Sequence, residues 1–221
     1  EQDPKTRTAP PSELAQSSAP TSSHPAASPS DDPSRVTDEL NGITLPVLDG
    51  WQKAENVADD YTFITTPGTY DCPEDDWGLC RRGTVSTRTV TSTDETDPEV
   101  LAKKDVKEAA DTSYDKTPGG GEPFGGMTGH EVVAARQVAV AGRTGYLVRW
   151  KVTTKTGPGG YVQSVVFPSS SGSGALVAVR CTLDVSDASP PLTDLDRIVK
   201  GIRPVGGSGG GGVGSSLGPS R

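Results

Sequence analysis

In the second half of the chain, apolar residues return at every second position in short segments separated by glycine-rich turns. In ALVAVRCTL, Ala175, Val177, Val179, Cys181 and Leu183 share one face, while Arg180 and Thr182 share the other. Period two is the mark of a strand with one buried face. Tyr146, Val148, Trp150 and Val152 alternate in the same way with Leu147, Arg149 and Lys151. YVQSVVF follows the turn KTGPGG, ALVAVRCTL follows PSSSGSG, and HEVVAARQVAVAG supplies one or two further strands. Connections this short pair neighbouring strands antiparallel. Upstream, ITLPVLDGW reads as extended, YTFITTPGTY alternates Tyr61 and Phe63 against Thr62 and Ile64 until Pro67-Gly68, and residues 84–93 are a β-branched strand.

The period changes to that of a helix in two places. DPEVLAKKDVKEAADTSY has Asp97 at an N-cap and Pro98 at N1, with Ala102, Val106, Ala109 and Ala110 on one stripe. The pairs Glu99/Lys103 and Lys104/Glu108 are spaced for support along that helix. TDLDRIVKGIR places Leu195, Ile198, Val199 and Ile202 on one face, with Thr193 as the expected cap and Pro204 as the stop. Strands with short turns and two amphipathic helices predict an α+β sandwich: an antiparallel sheet of about five to seven strands covered by two helices. TPGGGEPFGGMTGH lacks the GK[ST] ending of a phosphate loop and the register of a dinucleotide turn, so it is expected to be a mobile connection.

Composition sets the domain limits. Only 32% of the 221 residues are hydrophobic and 5% aromatic, too few for one compact unit from end to end. Residues 1–44 are rich in Pro, Ser, Ala and Thr and read as a disordered stalk or linker. Residues 45–204 have the size of one globular domain, and residues 205–221 have the composition of a flexible Gly/Ser-rich tail. The chain begins with Glu rather than Met and is read as a processed fragment. A net charge of -8 and a pI near 4.8 argue against nucleic acid or an anionic membrane surface. No apolar run in it approaches the length of a membrane span.

The candidate chemistry gathers in TYDCPEDDWGLCRRG. Zinc needs four ligands at a characteristic spacing and thioredoxin-type redox chemistry needs C-x-x-C; neither is present. Cys72 and Cys80, eight positions apart, suit a disulfide across a turn, which would stabilise the fold by roughly 2 to 3 kcal/mol. Such a bond implies an oxidising compartment. Asp71, Glu74, Asp75 and Asp76 offer oxygen atoms to calcium, but the grammar of a calcium loop is missing, so neither a metal nor a cofactor is expected. Trp77 either packs over the disulfide or stands out as a partner contact, with Arg81 and Arg82 beside it. Cys181 lies on the apolar face of its strand and reads as a buried, inert thiol.

The runs LDGWQKA, TTPGTYDCPEDDWGLCRRGTV, QVAVAGRTGYLVRWKV, GPGGYVQSVVFPSS and LDRIVKGIRPV resemble uncharacterised extracytoplasmic domains of actinomycete membrane-anchored proteins. The resemblance covers nearly all of residues 45–204, and the element order is similar to the Mog1/PsbP-like fold of some actinobacterial lipoproteins. It implies a domain at the cell surface, anchored through a segment upstream of residue 1; with no nucleophile-base-orienter set in the sequence, the domain reads as non-catalytic, and it is expected to be monomeric. Its partner would be an envelope protein, a glycan or a wall component. The other reading is a small-ligand or hydrolytic domain using a cleft between the sheet and the C-terminal helix. His130, Glu131, Asp184 and Asp187 are the groups to inspect there.

Overall fold

The computed structural model describes residues 32–55, 62–91, 93–171 and 174–206. Most of the expected stalk and nearly all of the expected tail lie outside the described residues, as does Tyr61. The strands are β1 (Arg35–Asp38), β2 (Ile43–Pro46), β3 (Gln52–Lys53), β4 (Thr62–Thr65), β5 (Tyr70–Asp71), β6 (Leu79–Cys80) and β7 (Gly83–Thr89). Helix α1 (Pro98–Ala110) follows and runs on into a π-helical turn, Asp111–Asp115. Then come β8 (Met127–Val140), β9 (Arg143–Thr154), β10 (Gly160–Pro168), β11 (Leu176–Asp184), α2 (Thr193–Lys200) and β12 (Arg203–Pro204).

The principal sheet has seven antiparallel strands in the order β3-β4-β7-β11-β10-β9-β8. It is the α+β sandwich that the alternation predicts, with one helix on each face. On the first face Ala102, Val106 and Ala109 of α1 pack on Val148, Trp150, Val162 and Val166. On the second, Leu195, Ile198 and Val199 of α2 join Leu147, Val165, Phe167, Val179 and Cys181. The β8–β9 hairpin turns on Ala141 (φ 49°) and Gly142 (φ 75°), two left-handed residues whose twist matches that of the strands.

Three expectations need correction. The folded domain does not start at residue 45: β1 and β2 pair with each other, β12 adds to β2, and Ile43 and Leu45 are wholly buried under α2. The Arg35 guanidinium also donates to the Gly201 carbonyl at the end of α2. Thr193 is not a cap; it is the first residue of α2, and the preceding Leu192 makes no side-chain capping bond. The glycine-rich segment is not a free tether. Phe124 is buried against Tyr114, Lys155 and Thr156 donate to the Gly126 and Phe124 carbonyls, and β8 begins within the segment at Met127.

Candidate functional site

Helix α1 begins as its sequence requires, with the Asp97 carboxylate accepting the Glu99 N–H at 2.9 Å and Pro98 in the first turn. Its apolar stripe settles over β9 and β10, leaving β7 and β11 open beside it on the same face. An ionic clamp holds that position. Asp105, buried on the stripe, accepts from Arg180 Nε (3.0 Å) and Nη2 (2.7 Å) and from Ser164 Oγ (2.6 Å). One turn on, Glu108 pairs with Arg88 at 2.8 Å and Arg180 at 3.1 Å, so it turns to the sheet instead of supporting Lys104. Burial raises the Glu108 carboxyl, but hydrogen bonding to Arg180 and the charges of Arg180 and Arg88 outweigh it and leave the group below its usual range.

The uncovered strip of sheet is the floor of a groove of about 590 Å³. Thr84, Ser86, Arg88, Arg180 and Thr182 line the floor, and Glu108 of α1 with Thr112 and Ser113 of the π-helical turn form the wall. Thr84, Ser113 and Thr182 are shared with a second hollow of about 360 Å³ beneath the loop between β5 and β6. Two basic and two acidic side chains balance in the clamp, so the groove walls are polar without a net charge from it.

That loop carries the disulfide. Cys72 and Cys80 are bonded, with Cα atoms 5.2 Å apart. Cys72 N–H donates to the Gly78 carbonyl, Gly78 N–H to the Asp75 carbonyl, and Trp77 N–H to Asp75 Oδ1. Glu74 N–H donates to the Pro123 carbonyl, which ties the loop to the glycine-rich segment. Trp77 therefore stands at the tip of a short, internally bonded turn. It does not pack over the disulfide; it is 95% exposed, and Leu79 nearby is 66% exposed. Trp51 and Trp150 are buried.

Asp75 bonds its own turn, and among the described residues no three acidic, His or Cys side chains converge. The two arginines after the loop are not free contacts either. Arg81 donates to the Thr66 and Gly68 carbonyls, and the Arg82 guanidinium lies 3.8 Å over the Tyr70 ring and 3.6 Å from Asp184.

Asp184 is the centre of a buried polar knot that the sequence did not disclose. Tyr70 and Tyr114 each donate a phenol hydroxyl to it. Burial lifts the Asp184 carboxyl above its usual range, against the pull of both hydroxyls and of Arg82. Both phenols are pushed up as well, mainly by burial and then by the Asp184 charge and hydrogen bond. A side chain at Gly160 would collide with the Tyr114 hydroxyl, so glycine is required there for the knot to form.

Of the groups expected in a cleft beside the C-terminal helix, His130 and Glu131 lie apart from Asp184 and Asp187. Leu195 and Ile198 fill the space between α2 and the sheet, and the two main grooves open on the opposite face. His130, Val152, Gly160 and Asp184 form one transverse row, which puts His130 three strands, or about 14 Å, from Asp184. The His130 ring stacks on Trp150 at 3.8 Å, and Glu131 lies opposite Lys151. Asp187 and Asp184 border a shallow hollow by the β11–α2 connection, away from both. Cys181 is fully buried, and burial pushes its thiol up to about 12.

No protein-family model matches the chain, and no curated protein matches it in sequence. Solved structures do. The Ran-binding protein Mog1p of Saccharomyces cerevisiae superposes with a TM-score of 0.50 at 12% identity, over 77% of this chain and 94% of that one. A point mutant of Mog1 gives 0.50 and 12%, over 77% and 95%. The cyanobacterial PsbP (CyanoP) of Synechocystis sp. PCC 6803 gives 0.43 and 12%, over 77% and 91%. The chain thus has a Mog1/PsbP-like α+β fold. At this identity the likeness is one of fold alone.

Proposed function

We propose that the chain is a non-catalytic interaction module of the cell envelope, working outside the cytoplasm. Its contact surface is the Trp77 tip together with the groove beside it. The observation that carries this reading is the exposure of Trp77 on a cross-linked turn. Leaving an indole in water forgoes on the order of 2 kcal/mol of burial, and a partner that covers it recovers that energy. Because the turn is already fixed by the disulfide and its internal hydrogen bonds, little ordering entropy is lost on binding.

The cross-link supports this choice of compartment, since disulfides persist where thiols are not kept reduced. A tether upstream of the domain would hold it at the cell surface. Two features support a role without catalysis: the free thiol is buried and hard to ionise, and His130 is occupied by Trp150 far from the acid at Asp184. Mog1p, a protein of this fold, is a Ran-binding protein, so the fold is compatible with protein recognition. The partner here is an envelope protein, a glycan or a wall component.

With Trp51 and Trp150 buried, emission and acrylamide quenching report chiefly on Trp77. Titration with separated envelope fractions should give, for one fraction, a blue shift and protection from quencher. Read by co-sedimentation with the same fraction, since the variant lacks the reporting indole, Trp77→Ala should weaken that binding by about tenfold or more while leaving stability within about 0.5 kcal/mol of wild type. Equal binding by both proteins, or no response to any fraction, would sink the reading.

A further inference from the structure

The seven-stranded sheet ends differently at its two sides. β3 closes one edge with only Gln52 and Lys53, a short edge with a lysine, which discourages pairing. β8 forms the other edge with fourteen residues, laddered to β9 on one side only. A strand of that length presents about 45 Å of sheet edge, tied down at its start where the Met127 N–H donates to Asp115 and the Gly129 carbonyl accepts from Thr153. In its middle Val132 and Val133 are 54% and 42% exposed.

That middle reads Glu131-Val132-Val133-Ala134-Ala135-Arg136. Laid antiparallel against itself, the acid meets the base and each valine meets an alanine. For the charges to touch, Glu131 and Arg136 must project from one face, which residues five apart on a regular strand do not. The bulge between Val132 and Ala134 removes the obstacle. Glu131 lies opposite Lys151 and Arg136 opposite Leu147, both odd positions of β9 and hence on the same side, the one packed by α2. Glu131 has no ion-pair partner in its own chain among the described residues. Arg136 is half exposed and reaches Asp196 at 3.2 Å.

We propose that β8 is a self-association edge. Two copies of this chain pair their β8 strands antiparallel about a two-fold axis level with the Val133–Ala134 peptide, joining two seven-stranded sheets into one. Glu131 then faces Arg136 of the partner subunit, and symmetry makes the contact twice. Val132 faces Ala135 of the partner subunit, whose small side chain leaves room for it. The register holds outward as far as Gly129 opposite Val138 of the partner subunit, where the second bulge, between Met127 and Gly129, ends it. Bulges and charges can blunt an edge against pairing. Blunting, however, does not require opposite charges set symmetrically about the strand midpoint with only valine and alanine between them. The dimer departs from the monomer that the sequence suggested, and it uses a surface other than the Trp77 tip.

Sedimentation velocity of the full chain across micromolar to millimolar concentrations tests the proposal, with thermal melts to confirm folding. The wild type should pass from monomer to dimer within that range. Glu131→Arg, at a residue without an ion-pair partner among the described residues, should raise the dissociation constant about tenfold. Arg136→Glu should do the same, although it also sets an acid against Asp196. The double reversal should restore the dimer. A chain monomeric throughout would overturn the proposal and leave the edge to a strand of another polypeptide. A dimer indifferent to Glu131→Arg, or a double reversal no better than the singles, would overturn it by pointing to another surface.

Discussion

Asp184 and Trp77 lie at opposite extremes of solvation, and the cross-linked loop connects their surroundings. Asp184 is buried under Tyr70 and Tyr114, with Arg82 completing the knot, and its carboxyl is raised above the usual range. A carboxyl with a raised folded value contributes stability below its unfolded pKa and loses that contribution as pH rises through the folded value. The neutral Asp184→Asn should therefore improve relative to wild type as pH goes from about 3 to 7, read as the difference in urea midpoints. A difference that moves the other way would mean that the three donors hold the charged form more firmly than burial opposes it. The chain pattern gave no sign of this knot, because Tyr70, Tyr114 and Asp184 lie far apart in sequence and each reads singly as a half-buried polar residue. Cys181 was legible for the opposite reason: its burial follows from the alternation of its own strand.

Helix α1 could be read from the chain, save for the Lys104/Glu108 pair and the π-helical turn at its end, because its stripe, its N-cap and its first-turn proline are local signals. What the helix does to the sheet was not readable. Its clamp joins Asp105 to Arg180, seventy-five residues away, and only that pairing shows why half of the sheet face is left open as a groove. The one available hint was an acid, Asp105, on the apolar stripe. Asp105→Ala should destabilise the fold by roughly 3 to 5 kcal/mol, because it leaves the Arg180 guanidinium part-buried without its main partner. A loss below about 1 kcal/mol in chemical denaturation would mean that Glu108 alone holds the helix in place. Strand β1 escaped notice because a four-residue segment carries little periodic signal and adjoins a Pro- and Ser-rich stretch, whereas β2 lies within ITLPVLDGW, which reads as extended. The uncertain strand count of HEVVAARQVAVAG has a physical source too: the bulge at Val132/Ala134 breaks period two inside one continuous strand.

At the scale of the whole molecule, a sheet of seven strands carries one helix on each face and three features at its margins: a charged groove, an unpaired edge and a cross-linked turn. The pattern of apolar residues specified the layers, since both helices and the alternating strands β7 and β11 declare faces that meet the core. It did not specify the margins, which depend on where elements stop relative to one another. Trp77 illustrates the point, because the composition of its loop fits a packed indole as well as an exposed one. The proposed role joins these levels: the disulfide fixes the turn, the turn holds the tryptophan in water, and an oxidising compartment keeps the disulfide.

The state of that bond in the protein's own cell is the most direct test. Protein recovered under alkylating conditions, without reductant, should carry no label while folded, because Cys181 is fully buried and Cys72 and Cys80 are bonded. After denaturation its intact mass should show one alkylated thiol. Three alkylated thiols would contradict the account, because the turn that presents Trp77 would then be open and the compartment a reducing one.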